Sequence, residues 1–151
     1  KHVRQMTEKK IYDSYVVAGI LEGAGVAESL PLWTEANMET FRSVVRQMEG
    51  KISYATKLDE LAEIDELFHA TLFMACDNTR LVEMARTSCA TISKYLYYQH
   101  WITMFTPREY ADRHHAVAEA VYSRDVKHVE TALRDHYKET GLRMAQFGKE
   151  A

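Results

Sequence analysis

KLDELAEIDELFHATLFMACDN, residues 57–78, has the clearest pattern in the sequence. Its apolar residues recur at three- and four-residue spacing, the period of one face of an α-helix. They are Leu58, Leu61, Ile64, Leu67, Phe68, Leu72 and Phe73. We therefore predict a single helix over these residues. Asp65 and His69 are four residues apart on it, so their side chains stand one turn apart on the same face.

The face that carries Asp65 and His69 points toward the core, because Leu61, Phe68 and Leu72 flank the pair. A carboxylate and an imidazole that leave water each need a partner. Two arrangements satisfy both groups: a hydrogen bond between them, or a metal ion that they share. The pair alone does not decide between the two.

The composition of the chain is that of one soluble globular domain, with 151 residues, 46% hydrophobic and 27% charged. The net charge of −3 argues against nucleic-acid binding by this chain alone. No apolar run approaches the roughly 20 residues of a membrane span, so we predict no membrane insertion. The two cysteines, Cys76 and Cys89, lack metal-type spacing, and we expect free thiols in a reducing cytoplasm.

With two prolines and six glycines, the chain has few loop signals and reads as helical throughout. The glycines at 19, 23 and 25 interrupt an apolar helical pattern, which predicts close packing of the first helix against another helix. The predicted fold class is all-α, an antiparallel bundle of about six helices. Cap residues and apolar periodicity place these helices at about 8–30, 35–52, 57–78, 79–101, 107–122 and 126–147.

His114 and His136 lie on the last two predicted helices, which a short joint at residues 123–125 connects. Each histidine is eleven residues from Asp125, so an antiparallel hairpin brings both to one level of the bundle. Together with Asp65 and His69 they would supply three imidazoles and one carboxylate.

Such a ligand set suits zinc, nickel, manganese, cobalt or iron, whereas calcium and magnesium prefer more oxygen ligands. A hydrogen-bonded core histidine is the alternative reading at each position. Because His114 is followed by His115, either ring could face inward, and the helical phase does not choose between them.

LDELAEIDELFHATLFMACDNTRL, residues 58–81, resembles the signature of the FCD domain, the C-terminal ligand-binding domain of FadR-type regulators in the bacterial GntR family. The similarity rests on three stretches that span most of the chain. They are Leu21-Glu22-Gly23, then Ile64-Asp65-Glu66-Leu67-Phe68-His69 with Asn78, and His114 followed by Glu119-Ala120-Val121, Asp125, Ala132 and His136.

This resemblance implies a divalent metal ion, zinc foremost, held by Asp65, His69, His114 and His136, and it favours His114 over His115. It also implies a small carboxylate effector beside the metal. The domain would form a homodimer in the cytoplasm and pass the ligand state to an N-terminal winged helix-turn-helix that contacts operator DNA. On this reading, residues 1–10 are the remnant of a linker from that missing domain, and residues 11–151 are the FCD domain.

The chain departs from the family in its first helix. Many members carry an arginine there, a few residues before the Leu-Glu pair, and it can bind the effector's carboxylate; residues 15–19 of this chain, YVVAG, contain none. Another residue must then anchor a carboxylate, or the effector differs. The candidates are Lys94, Tyr95, Tyr98 and Arg42.

Two other functions remain as alternatives. A metal-dependent helical-bundle enzyme would need a general base beside a metal-activated water, and neither Glu66 nor Glu119 is convincingly placed for that role. A ligand-free structural dimerisation bundle would tolerate leucine at His114 or His136, because the change would relieve a buried polar group.

Overall fold

The structure, a computed structural model, describes residues 6–90 and 98–148 of the chain. In these two ranges it contains seven α-helices, which confirms the predicted all-α fold. The helices are α1 (Glu8–Ser29), α2 (Glu35–Ile52), α3 (Ala62–Thr71), α4 (Thr79–Thr87), α5 (Tyr98–Trp101), α6 (Pro107–Tyr122) and α7 (Val126–Ala145). Two 3-10 helices, Leu30–Leu32 and Leu58–Leu61, precede α2 and α3.

The starts of α2, α6 and α7 follow from side-chain caps, as predicted. The Thr34 hydroxyl accepts a hydrogen bond from the amide of Asn37. Thr106 and Glu109 form a capping box, in which each side chain accepts a hydrogen bond from the other residue's amide. Asp125 caps α7 by accepting from the first amides of that helix. These bonds satisfy amides that have no partner inside the helix.

The prediction of one helix over residues 57–78 is wrong at both ends. The segment begins as the 3-10 helix Leu58–Leu61, and α3 ends at Thr71. Turns follow, in which amides bond to carbonyls three residues back rather than four. The Ser29 hydroxyl accepts a hydrogen bond from the amide of Ala75. A contact from α1 therefore holds the chain in a turn where apolar periodicity alone favours a helix.

The predicted long helix over residues 79–101 is also wrong in its described parts. α4 ends at Thr87, and the Ser88 hydroxyl donates to a carbonyl in the preceding turn. α5 is a separate helix of four residues, Tyr98–Trp101. Residues 91–97 lie outside the described part of the chain. The break explains why seven α-helices are described where about six were predicted.

α1 packs lengthwise against α7, and this is the most extensive helix pair among the described elements. Glycines allow the close approach on both sides. A Cβ on Gly19 would lie 3.0 Å from the Cβ of Tyr137, and a Cβ on Gly141 would lie 2.9 Å from the Cβ of Tyr15. The expectation that glycines in the first helix indicate close helix packing is confirmed.

The main core lies between α2, α3, α6 and α7, and it directly supports one histidine. Phe68 of α3 is fully buried, and its ring packs at a tilt against the ring of Phe41 of α2, with 5.4 Å between the ring centroids. On its other side, Phe68 meets the ring of His114 edge-on at 5.0 Å. The aromatic packing thus limits the rotation of His114.

The segment Glu8–Leu32 corrects the expectation that no part of the chain resembles a membrane span. It is long and apolar enough to cross a membrane by length and composition. Half of its most apolar window is buried inside the fold, however, and it contains the buried residue Glu22. We therefore describe it as part of the fold, and its length and composition alone are weak evidence for a membrane span.

Candidate metal centre

Three helices bring the predicted ligands together. Asp65 and His69 lie on α3, His114 on α6 and His136 on α7. The three histidines each offer one ring nitrogen, and these nitrogens lie within 4.8 Å of one another. The Oδ1 atom of Asp65 is 2.9 Å from Nε2 of His114 and 3.8 Å from Nε2 of His69. The three histidines therefore form one cluster inside the bundle, and the Asp65 carboxylate lies against His114 and His69.

The hydrogen bonding of His114 joins it to a backbone carbonyl and to a carboxylate. Its Nδ1 lies 2.8 Å from the backbone carbonyl of Tyr110, which can only accept, so Nδ1 carries a proton. The 2.9 Å contact between Nε2 and the Asp65 carboxylate is a hydrogen bond only when Nε2 carries a proton as well. Burial lowers the pKa of His114 and disfavours a second proton. A metal ion between these two atoms would satisfy both.

Asp65 is held in its ionised form. Burial alone would raise its pKa, but the hydrogen bond with His114 and the charge of His69 outweigh burial and lower the pKa to about 2. A carboxylate that remains charged among imidazoles is a suitable ligand for a divalent transition metal.

His69 is oriented by a buried acid. Its Nδ1–H donates to Oε1 of Glu22 at 2.5 Å, and the Tyr137 hydroxyl donates to Oε2 of the same carboxylate at 2.6 Å. Nε2 of His69 is thereby turned toward Asp65. Burial opposes a charge on His69, but the charge of Glu22 and its hydrogen bond raise the pKa of His69 to about 9. Histidines that bind metals are commonly held by a carboxylate in this way.

His136 contributes a buried ring nitrogen that lacks a partner. Among the described residues, none forms a hydrogen bond with its Nδ1. Burial, together with the positive charge of Arg113, lowers its pKa well below the usual value, so the ring is neutral. An unpartnered polar atom in a protein interior is unfavourable. A ligand in this position would remove the penalty.

The donor set fits a transition metal in chemistry, and its spacing would contract around an ion. At Zn–N bonds of about 2.0–2.1 Å in a tetrahedral site, two ligand nitrogens lie about 3.3–3.4 Å apart. The histidine nitrogens lie within 4.8 Å of one another, so the widest pair would close by up to roughly 1.4 Å. Small movements of the side chains would supply this contraction, and Glu22 and the Tyr110 carbonyl hold the other ring nitrogens of His69 and His114.

A cavity of about 410 Å³ adjoins the three histidines and Asp65. Its volume is within the range of small-molecule sites. Apolar residues from several helices form much of its wall, and Arg113 and Tyr110 line it beside the histidines. The described apolar wall residues include Leu58, Ala62, Ala70, Ala85, Trp101 and Phe105.

The other candidates from the sequence fall in different places. Tyr98 lines the cavity, whereas Lys94 and Tyr95 lie outside the described residues. Arg42 is not among the residues that line the cavity. Its guanidinium forms ion pairs with two acids of its own helix, at 2.7 Å and 3.5 Å. His115 is directed instead toward Glu49 of α2, with 3.3 Å between Nε2 and Oε1.

Sequence reasoning assigned no role to Glu22, Tyr137, Tyr110 or Arg113. Glu22 had a usable signal, because it is the only charged residue between Asp13 and Glu28, in an apolar and glycine-rich stretch. Tyr110 precedes His114 by four residues and so shares its face. Arg113 stands among charged residues in ADRHH and has the appearance of a solvated position.

Comparison with known families gives one match. The FCD domain matches residues 13–139, which is most of the chain. Neither the search of curated proteins nor that of solved structures returned a match. FCD is the C-terminal domain of FadR in GntR-family regulators, where it serves as a regulatory effector-binding domain rather than typically as an enzyme. The chain belongs to the FCD domain family.

Proposed function

We propose that this chain is the effector-sensing domain of a GntR-type transcription regulator that holds a divalent transition metal, zinc foremost, on Asp65, His69, His114 and His136. A small carboxylate is the proposed effector, and it binds in the adjoining cavity. The working protein is a cytoplasmic homodimer that contacts operator DNA through a winged helix-turn-helix domain N-terminal to residues 1–10.

One observation carries the metal assignment. The buried Nδ1 of His136 lacks a partner among the described residues, and His136 belongs to a cluster of three histidine nitrogens that lie within 4.8 Å of one another. A buried polar atom without a partner is costly. One cation at the centre of the cluster would relieve this cost.

The sensing step follows from which helices the ligands occupy. The three helices α3, α6 and α7 supply the ligands, and α1 supplies Glu22. An effector in the adjoining cavity contacts the same helices, so it can favour one packing arrangement over another. Only its difference in affinity for the two arrangements can drive the change.

The enzyme alternative receives less support from the cavity. Besides Asp65, the acids among its described lining residues are Glu22, Glu63 and Glu66. Glu22 is engaged by His69 and Tyr137, and Glu66 pairs with Arg86 at 3.4 Å. Glu63 is almost fully exposed. None is placed as a general base beside the histidine cluster.

Cobalt spectroscopy tests the proposed ligand set. Metal-free protein is titrated with Co²⁺, and the visible d–d absorption is recorded, because its intensity and position depend on the ligands and on the coordination geometry. We expect saturation near one ion per chain for the wild type and loss of the band in His114→Ala. The matched control is His115→Ala, which removes the neighbouring imidazole that faces Glu49 and should bind cobalt normally.

Two outcomes would contradict the proposal. Equal cobalt spectra for the wild type and His114→Ala would remove His114 from the site. Absence of binding in the wild type, together with unchanged or raised stability of His136→Leu, would favour the ligand-free bundle, because leucine would then only relieve an unpartnered polar group.

A further inference from the structure

Arg113 brings a buried positive charge to the wall of the cavity. It lies on α6 directly before His114, and its side chain is 11% exposed. It lines the same cavity as His69, His114 and His136, and its guanidinium donates to the backbone carbonyl of His136, which places it beside the histidine cluster. A buried guanidinium beside a cavity is a common anchor for carboxylates.

The guanidinium is rigidly held along one edge and open along the other. Its Nε donates to Glu139 at 3.0 Å, and its Nη2 donates to the His136 carbonyl at 2.5 Å and to the Thr140 hydroxyl at 2.6 Å. The plane stacks on the ring of Phe105, 3.9 Å from the centroid. No described residue accepts a hydrogen bond from Nη1, so its donors remain for a ligand.

Tyr110 offers a second donor in the same cavity. The residue is 2% exposed, and its hydroxyl lies near the Asp65 carboxylate but forms no hydrogen bond of normal geometry with a described residue. A phenol keeps its proton at neutral pH, so the hydroxyl can donate to a ligand. Tyr110 is one helical turn before His114 and Arg113 is the residue before it, which places both donors beside the cluster.

The charge along the cavity changes sign between its buried part and its mouth. Arg113 lies in the buried part, next to the proposed ion. Glu63, Glu66 and Arg86 also line the cavity, and their side chains are 92%, 56% and 51% exposed, which puts them at its mouth. Arg86 pairs with Glu66 at 3.4 Å, so the two acids and one cation leave a net negative charge there. The described wall between these ends is largely apolar. A ligand with a carboxylate at one end and an apolar tail fits this order, whereas a second carboxylate would approach Glu63 and Glu66.

We propose that Arg113, assisted by the Tyr110 hydroxyl, anchors the effector's carboxylate in place of the missing first-helix arginine, and that the effector is a monocarboxylate with an apolar tail. This inference rests on the proposed function, since it assigns the anion site of the same cavity. It replaces Arg42, a cationic candidate from the sequence that is not among the residues lining the cavity.

Calorimetric titration of the zinc-loaded protein with three four-carbon probes tests the assignment. Butyrate has one carboxylate and an apolar tail, butyramide has the same shape without the charge, and succinate has a second carboxylate in place of the methyl group. We expect butyrate to bind at least about tenfold more tightly than either of the others, since a hydrogen bond to a charged group contributes about that factor or more.

The decisive variant is Arg113→Gln, with Arg143→Gln as its matched control. Arg143 stacks on the same Phe105 ring and pairs with the same Glu139, but it does not line the cavity. We expect Arg113→Gln to weaken butyrate binding about tenfold or more. Arg143→Gln should leave the affinity within about twofold of the wild type, a difference too small to represent a lost charged hydrogen bond.

Tyr110→Phe keeps the test decisive if Arg113→Gln does not fold. The removed hydroxyl lies near Asp65 but forms no hydrogen bond of normal geometry with a described residue, so the fold should tolerate its loss, while butyrate affinity should fall about threefold to tenfold. Wild-type butyrate affinity in Arg113→Gln or in Tyr110→Phe would overturn the assignment. An equal loss in Arg143→Gln would also overturn it, because Arg113 would then act only through the stack on Phe105.

Zinc content, measured on every variant before titration, separates the two proposals. A wild type without zinc contradicts the proposed function. A wild type that holds one zinc per chain but does not bind butyrate, or binds succinate equally well, contradicts only the present inference. Retention of zinc by Arg113→Gln is expected, because Arg113 is not a ligand.

Discussion

Glu22 is the residue on which the orientation of His69 depends. It is 3% exposed, and both of its carboxylate oxygens accept hydrogen bonds, one from His69 and one from Tyr137. The two bonds are made to different helices, α3 and α7, so Glu22 also ties these helices to α1. A change at Glu22 should therefore act on the metal without touching it.

Glu22→Gln should lower the affinity for zinc by roughly tenfold to a hundredfold, the range seen when a carboxylate behind a ligand histidine is lost. The amide keeps the shape of the side chain but removes the charge that holds Nδ1–H of His69. The measurement is competition with a chelator of known affinity. Glu28→Gln is the control, because Glu28 is an exposed acid of the same helix, and it should bind zinc as the wild type does.

The protonation of His69 predicts how zinc affinity depends on pH. Burial would lower the pKa of His69, but the charge of Glu22 outweighs burial and raises this pKa to about 9. Both ring nitrogens therefore carry a proton at neutral pH when no metal is bound. Zinc must displace one of these protons, so apparent affinity should rise about tenfold per pH unit from about 7 and level off above about 9. Competition titrations at several pH values measure the slope, and a flat profile between pH 7 and 8.5 would contradict the assignment.

Among the elements, α1 and α7 set the spacing on which the site depends. Gly19 and Gly141 allow the two backbones to approach, and this approach brings Glu22 of α1 to Tyr137 of α7. The hairpin of α6 and α7 then places His114 beside His136, with ring centroids 4.8 Å apart. At the joint, Arg124 adopts a φ of 57°, in the left-handed region, and its side chain bonds to Glu35 of α2.

Gly19→Ala should destabilise the fold by about 1–3 kcal/mol, the usual effect of overpacking a close contact. The added Cβ would lie 3.0 Å from the Cβ of Tyr137 and 3.2 Å from the Cα of Arg134. Urea unfolding of the metal-free protein measures the change in the free energy of unfolding. Gly50→Ala is the matched control: nothing lies within 4 Å of its added Cβ, and it should stabilise α2 by about 0.5–1 kcal/mol. Similar effects at both positions would argue against close packing of α1 and α7.

Helix starts were predictable because their caps are local. Thr34, Thr106 and Asp125 each bond to amides within three residues, so a short stretch of sequence contains the whole signal. The helix ends at Thr71 and Thr87 were missed, because apolar periodicity continues past both. At the first of these, the bond that holds the turn comes from Ser29, far away in the sequence.

Some features of the candidate site were likewise predictable from local sequence, whereas others depend on tertiary packing. The ligand types and the register of His114 and His136 follow from spacing along two helices joined by a short turn. The pairing of Glu22 with His69, 47 residues away, depends on tertiary packing and has no local signature. Arg113 was missed for a related reason, since its contacts with Glu139 and Thr140 of α7 exist only in the folded hairpin.

At the scale of the whole molecule, the histidine cluster is the point where three helices meet. α3 contributes His69, α6 contributes His114 and α7 contributes His136, and α1 covers the cluster through Glu22. A metal ion at this point would link elements that are otherwise joined mainly by side-chain packing. Because the unfolded chain has no such preformed site, metal binding should add directly to the stability of the fold.

Removal of the metal should therefore lower the melting temperature. At a free zinc concentration a thousand times the dissociation constant, binding stabilises the folded state by about 4 kcal/mol. For a chain of this size, that corresponds to roughly 8–16 °C. Calorimetric scans with and without a chelator measure the shift, and His136→Ala should melt at the same temperature in both. A wild type that is insensitive to the chelator would show that the histidines do not couple a metal to folding.

Elemental analysis of untagged protein purified without chelator tests the metal assignment most directly. The wild type should contain close to one transition-metal ion per chain, His136→Ala should contain almost none, and His128→Ala, which changes an exposed histidine of the same helix, should match the wild type. Metal absent from all three proteins, even after incubation with zinc, nickel or manganese, would contradict the account and leave the histidines as structural residues of the core.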